Sequence, residues 1–203
     1  MTCVVGVVQD GVVYVGADSA SVSGQYLNVL TRRKVFRLDD MLIGVAGSLR
    51  LAQLVRYRLL SSKPPHRADL DTEAFLATDF MDALRQCLKD GGHVQVSNTS
   101  DEETDSSLLV GYRGRLFTID ETFTVCETQC GYIAIGSGQE PAMGALFATH
   151  DEDPMARLVI ALHAAEAFNT CVRGPFTYEC LSAQTTAHQD VVPVGWLSSK
   201  CLP

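Results

Sequence analysis

Met1-Thr2-Cys3-Val4-Val5-Gly6-Val7-Val8-Gln9-Asp10-Gly11-Val12-Val13-Tyr14-Val15-Gly16-Ala17-Asp18 opens the chain, and the reading of this stretch decides the fold. Two β-branched runs, Thr2–Val8 and Val12–Val15, flank Gln9-Asp10-Gly11. Asp-Gly between apolar runs signals a tight hairpin, because the turn needs residues that tolerate positive φ. Both runs are nearly continuous in apolar residues, which predicts a sheet covered on both faces. The second run ends in Gly16-Ala17-Asp18-Ser19-Ala20, where the chain leaves the strand. The stretch also carries chemistry. Once Met1 is trimmed, Thr2 holds a hydroxyl and a free α-amine on one residue. An α-amine has a pKa of about 7.7–8.0, which suits a general base near neutral pH. One residue can thus supply both nucleophile and base.

Outward from that hairpin, a small and polar stretch runs through Ser21, Ser23, Gly24 and Gln25. Thr31-Arg32-Arg33-Lys34-Val35-Phe36-Arg37-Leu38 is a basic start to another short strand. Asp39-Asp40 turns it back into Met41–Gly47, a second hairpin, so the chain is expected to open with four antiparallel strands. Ser48 is a candidate N-cap for a helix over Leu49–Ser61, with Leu51, Leu54, Val55 and Leu59 on one stripe and Pro64-Pro65 as its stop. Asp71 caps a second helix through Leu88, with Leu76, Phe80, Leu84 and Leu88 four apart and Gly91-Gly92 as its end. Ser97 to Ser107 reads as a solvated acidic loop. Strands resume at Leu108–Tyr112, Leu116–Ile119 and Tyr132–Ile135, the last leading into Gly136-Ser137-Gly138. A helix from near Pro141 to about Thr149 follows. Asp153-Pro154 then starts another, Met155 to Asn169, with Met155, Leu158, Val159 and Leu162 inward. Phe176–Ser182 fits either a strand or a helix, and Val191–Leu197 could add an edge strand. Blocks of strands and helices in this order predict an α+β chain of stacked sheets with helices outside.

The chain's 203 residues suit one domain, 1–203, with a core over about 2–182 and a C-terminal extension over 183–203. A net charge of -8 argues against a nucleic-acid footprint. No apolar run reaches the roughly eighteen residues of a membrane helix, so no membrane partner is expected. Seven scattered cysteines favour reduced thiols in a cytoplasmic setting. Cys126 and Cys130 lack a second pair or a nearby histidine, so they read as structural cysteines and no metal or other cofactor is expected.

Thr2, Gly16-Ala17-Asp18, Arg33-Lys34-Val35, Gly44-Val45-Ala46-Gly47 and Gly136-Ser137-Gly138 resemble, in order and spacing, the proteasome β-subunit family of N-terminal-nucleophile hydrolases. The lack of residues before Met1-Thr2 looks like its HslV branch, where methionine removal alone exposes the threonine. The resemblance implies a four-layer αββα sandwich of two antiparallel sheets between helix layers. It also implies homo-oligomeric stacked rings, unfolded protein or peptide substrates cut inside them, and a partner AAA+ unfoldase ATPase.

By the same resemblance Thr2 is the nucleophile, Lys34 favours its deprotonated form, and Asp18 pairs with Lys34. Gly44, the first glycine of its motif, supplies the oxyanion-hole N–H, and Gly47 leads into the first helix. Ser137 contacts the α-amine. Where the family usually has an aspartate supporting that amine, this chain has Asn169, which can hydrogen-bond but carries no charge. A serine that often follows is replaced by Val172. Ser21, Arg32 and Leu42 fall where the family builds its specificity pocket. Leu42 would form the base, and Arg32 would bias the pocket towards acidic or polar side chains. Val22 and Ala46 either offer backbone groups to an extended substrate or are plain sheet residues. The resemblance also admits a non-catalytic ring subunit serving as scaffold or binding module, or a small-molecule amidase.

Overall fold

The computed structural model describes residues 2–59, 71–93, 95–96 and 102–183. The opening hairpin is β1 (Val4–Gln9) and β2 (Val12–Ala17), paired from Val4↔Ala17 to Gln9↔Val12. Asp10 and Gly11 turn it at φ 52° and 73°, the two positive-φ positions that an Asp-Gly turn supplies. Six strands, not four, precede the first helix. Beyond β2 the chain forms β3 (Ala20–Ser23) and β4 (Tyr26–Val29), a small separate ladder. Every residue of β4 is exposed, and in β3 only Ala20 is buried, so burial does not impose apolar alternation on this hairpin. The second expected hairpin is β5 (Val35–Leu38) and β6 (Met41–Ala46), but it joins the other sheet.

Ser48 caps α1 (Leu49–Tyr57), its side chain accepting from Arg50 and Leu51 N–H. The helix ends at Tyr57 rather than Ser61, while Pro64-Pro65 lies outside the described residues. Asp71 caps α2 (Thr72–Phe75), which widens into a π turn over Leu76–Phe80 and continues as α3 (Met81–Asp90) up to Gly91. Gln95–Val96 (β7) and Glu102–Glu103 (β8) then form a two-residue ladder. The expected solvated loop is corrected in part: Thr104 and Ser106 are buried, and Ser107 already belongs to β9 (Ser107–Tyr112). The meander continues through β10 (Arg115–Ile119), β11 (Val125–Glu127) and β12 (Tyr132–Ile135). Helices α4 (Gln139–Ala148) and α5 (Pro154–Phe168) follow, with Asp153 the N-cap of α5. Leu158 and Leu162 of α5 are buried as expected, whereas Met155 and Val159 are half-buried. Arg157 takes a buried place instead, donating to Leu146 O and lying over the Tyr132 ring. The undecided segment is a strand, β13 (Thr177–Ser182), paired with β2. Val191–Leu197 lies outside the described residues.

The strands build two main sheets, ordered β12-β1-β2-β13 and β11-β10-β9-β6-β5. Side chains alternate faces along a strand, and three apolar layers result. In β1, Val5 and Val7 pack under α5 with Leu158, Ala161 and Leu162. Val4 points the other way and meets Leu42, Leu109 and Leu116 between the sheets. In β6, Met41, Ile43 and Val45 face α1–α3 with Leu51, Phe75 and Leu84. The layers are therefore α, β, β, α, and the unbroken apolar runs arise because each strand is buried on both sides.

Candidate active site

Four chain segments bring the sequence-predicted residues together at one end of the inter-sheet layer. Thr2 stands just before β1, and the Val4↔Ala17 pairing sets Asp18 beside it. Asp18 N–H donates to Cys3 O at 3.2 Å. The Asp18 carboxylate accepts from Cys3 N at 3.0 Å, Ala20 N at 2.8 Å and Arg173 N at 3.4 Å. Lys34 ends the approach to β5, its carbonyl accepting from Val45 N at 3.1 Å. Its buried ammonium donates to Asp18 Oδ1 at 2.8 Å and to Thr2 Oγ1 at 2.9 Å. Burial pushes the Lys34 pKa down, while the Asp18 charge and hydrogen bond pull it back up. The charge that Asp18 holds on Lys34 favours the ionised form of the Thr2 hydroxyl beside it.

The fourth segment follows β12. Thr2 N–H donates to Ser137 Oγ at 3.2 Å, and Ser137 Oγ donates to Thr2 O at 3.3 Å. Gly138 N–H also donates to Thr2 O, at 3.2 Å. Asn169 caps α5 and donates from Nδ2 to Ser137 O at 2.6 Å, while its Oδ1 accepts from Cys171 N at 2.9 Å. Both halves of the amide are used. An aspartate here would keep the second contact and turn the first into a repulsion between two oxygens, so the asparagine suits this backbone. Val172 is fully buried and packs beneath.

Two expectations fail on strand parity. Gly44 does not face the site: a Cβ there would meet Val4 Cγ1 at 2.5 Å, so its missing side chain makes room for sheet-to-sheet contact. Gly47 lies beside Thr2 on the wall of a cleft of about 260 Å³. Its φ of +121° is one that L side chains rarely adopt. A Cβ there would also strike Asp105 O at 2.6 Å. Ser106 Oγ fixes the next residue by accepting from Ser48 N at 2.8 Å. Leu42 likewise points between the sheets, and Val45, of opposite parity in β6, lines the cleft. Arg32 lines it as expected, joined by Arg56 from α1, which the sequence did not single out. Ser21 and Val22 sit half-buried on β3, opposite Asn28 and Leu27, and Ala46 is packed between the sheets; none of the three lines the cleft.

The thiols divide by burial. Cys126 and Cys130, expected to be structural, are exposed and free. Cys3 is buried behind Thr2, and burial, with the Asp18 charge adding, pushes its pKa from 9.0 to about 12. Burial raises Tyr112 and Tyr178 from 10.0 to about 12. Above pH 9–10 an unfolded chain releases these protons while the folded one keeps them, so their contribution to stability is lost as pH rises towards about 12. Lys34 works in the opposite sense, since its folded amine is lowered. The Lys34 effect ends at its ordinary value of 10.5, and Tyr14 and Cys87 are raised by burial as well, so the urea midpoint is expected to fall between about pH 10.5 and about pH 12; a flat or rising midpoint contradicts it. Among the described residues no group of three or more His, Cys, Asp or Glu is placed to hold a metal ion, and no helix is long and apolar enough to cross a membrane.

No protein-family model and no curated protein matches this chain. Solved structures do. Thiobacillus denitrificans BPH in complex with epoxomicin is 21% identical at a TM-score of 0.75, covering 91% of this chain and 100% of its own. Eukaryotic HslV from Trypanosoma brucei is 21% identical at 0.64, with 89% and 99% covered. Anbu, described as an ancestral beta-subunit, from Yersinia bercovieri is 18% identical at 0.63, with 89% and 82% covered. The structural neighbours are thus proteasome-type N-terminal-nucleophile hydrolase relatives, and the chain shares their fold.

Proposed function

We propose that the chain is a threonine peptidase whose nucleophile is Thr2, freed by cleavage of the Met1–Thr2 bond. The observation that carries this reading is the buried line Thr2 Oγ1–Lys34 Nζ–Asp18 Oδ1, at 2.9 and 2.8 Å. Thr2 Oγ forms a bond to the substrate carbonyl carbon, and its proton passes to the freed α-amine, held by Ser137. Asp18 holds Lys34 against the hydroxyl, and the Lys34 charge stabilises the oxygen as it becomes negative. The carbonyl oxygen, now an oxyanion, takes the Gly47 N–H, the role the resemblance had implied for Gly44. The C–N bond breaks as the amine returns the proton to the departing nitrogen. Water then cleaves the acyl ester and restores the hydroxyl. Asn169 is a positioning residue, setting Ser137 through its carbonyl.

Assembly into rings around a closed chamber, unfolded chains as substrates and an unfoldase ATPase as partner extend this proposal through the resemblance to HslV-type subunits. The test is intact-mass spectrometry before and after incubation with epoxomicin, the compound bound in the Thiobacillus structure. The expected masses are those of a chain starting at Thr2 and of its single adduct, mapped to residue 2 by peptide sequencing. A processed chain that takes no adduct and cuts no peptide supports instead a non-catalytic ring subunit.

A further inference from the structure

We propose that the cleft beside Thr2 selects an acidic side chain, so that the bonds cut are those following glutamate or aspartate. This inference rests on the peptidase reading and adds its substrate class. It comes from a charge count within the cleft. The protein as a whole carries -8, yet Arg32, Arg33, Lys34 and Arg56 all line this one cleft, and among the described residues no aspartate or glutamate does. Two of the four cations are already matched. Lys34 is held by Asp18 at 2.8 Å, and Arg33 by Glu179 at 2.6 Å.

Arg32 and Arg56 are different. Among the described residues neither has a carboxylate partner. Arg56 is half-buried, with its guanidinium 4.2 Å from the Phe36 ring centroid and one N–H given to Arg33 O. Arg32 lies 5.1 Å over the Tyr57 ring. Stacking orders both guanidinium groups while leaving other donors unused. Burial and the Arg32 charge both push the Arg56 pKa down, as two neighbouring like charges in a partly dry cleft must. A carboxylate entering between them relieves that repulsion and accepts charge-assisted hydrogen bonds. Val45 and Leu30 give the same cleft an apolar wall, matching the methylenes that carry a glutamate carboxyl. A basic side chain meets two unmatched positive charges, and a neutral one leaves them unmatched.

The test uses processed chain and fluorogenic peptides that differ only in Glu, Gln, Leu or Arg before the reporter. The Glu peptide is expected to exceed the Gln peptide in kcat/KM by about tenfold to a hundredfold, the range for a hydrogen bond to a charged group. Raised salt should shrink that ratio. Arg56→Gln and Arg32→Gln should each move the ratio towards one, with melting temperatures recorded to show that both variants fold. A ratio near one in a chain that takes epoxomicin at Thr2 overturns the acidic preference and leaves the peptidase reading standing. A binding arm needs no chemistry: the Thr2→Ala chain is titrated with short peptides ending in Glu or in Gln. Equal Kd values overturn the proposal. Tighter binding of the Glu peptide, together with no turnover by the processed parent chain, keeps the selectivity and removes only the peptidase reading.

Discussion

Thr2→Ala is expected to lower peptide turnover on the order of 10⁵-fold or more, as loss of a covalent nucleophile does elsewhere. Stability should hardly change. The hydroxyl removed is one of two oxygens that Lys34 Nζ contacts, and Asp18 Oδ1 remains at 2.8 Å. Thr2→Ser keeps the oxygen and gives up only a methyl group, so it should retain measurable turnover. The three chains are compared by kcat/KM on one peptide and by urea midpoint. An alanine chain that keeps more than about a hundredth of the parent's turnover removes Thr2 as nucleophile, since such residues contribute far more than that.

Asp18→Ala should do the reverse, with stability suffering first. The side chain is fully buried, and three backbone N–H groups and the Lys34 ammonium all donate to it. Leaving a buried charge without its partner costs about 3–5 kcal/mol, and each orphaned N–H adds about 1–3 kcal/mol. Against a typical total of about 5–15 kcal/mol, that is most of the stability of a domain. Combining Asp18→Ala with Lys34→Met removes the stranded charge, so the double variant should regain part of the loss while staying inactive. Urea midpoints of the four chains close the cycle. A single Asp18→Ala variant within about 1 kcal/mol of the parent contradicts the view that this carboxylate holds the lysine in place.

Thr2, Asp18 and Lys34 were legible through the resemblance that their short strand-end motifs carry; taken singly, Lys34 reads as a surface lysine and Asp18 as a turn cap. The hairpin turn at Asp10-Gly11 was legible directly, since backbone conformation and residue type agree there. The misreadings share a cause. A run such as Met41-Leu42-Ile43-Gly44-Val45-Ala46 is apolar throughout, so nothing in composition says which parity faces the cleft. Leu42 and Gly44 were read as facing it, and Val45 belongs there. A glycine demanded by packing against Val4 looks the same in sequence as one demanded by a positive φ at Gly47. Arg56 was invisible for another reason. It approaches from α1, and only the packing of that helix over β6 carries it to a residue more than fifty positions earlier in the chain. Tyr26, Leu27 and Val29 of β4 are apolar yet exposed, so burial gave the β3–β4 ladder no alternating pattern to read.

The first strand to be synthesised lies between β12 and β2, and Thr2 depends on Ser137, Asn169 and the Asp18 contact with Arg173 N. At about 5–20 residues per second, the ribosome reaches residue 173 roughly 10–30 s after residue 2. For most of that interval the emerging chain carries Thr2, Asp18 and Lys34 without Ser137, Asn169 and Arg173. Under the proposed peptidase reading, a truncated product ending before Asn169 is therefore expected to cut no peptide.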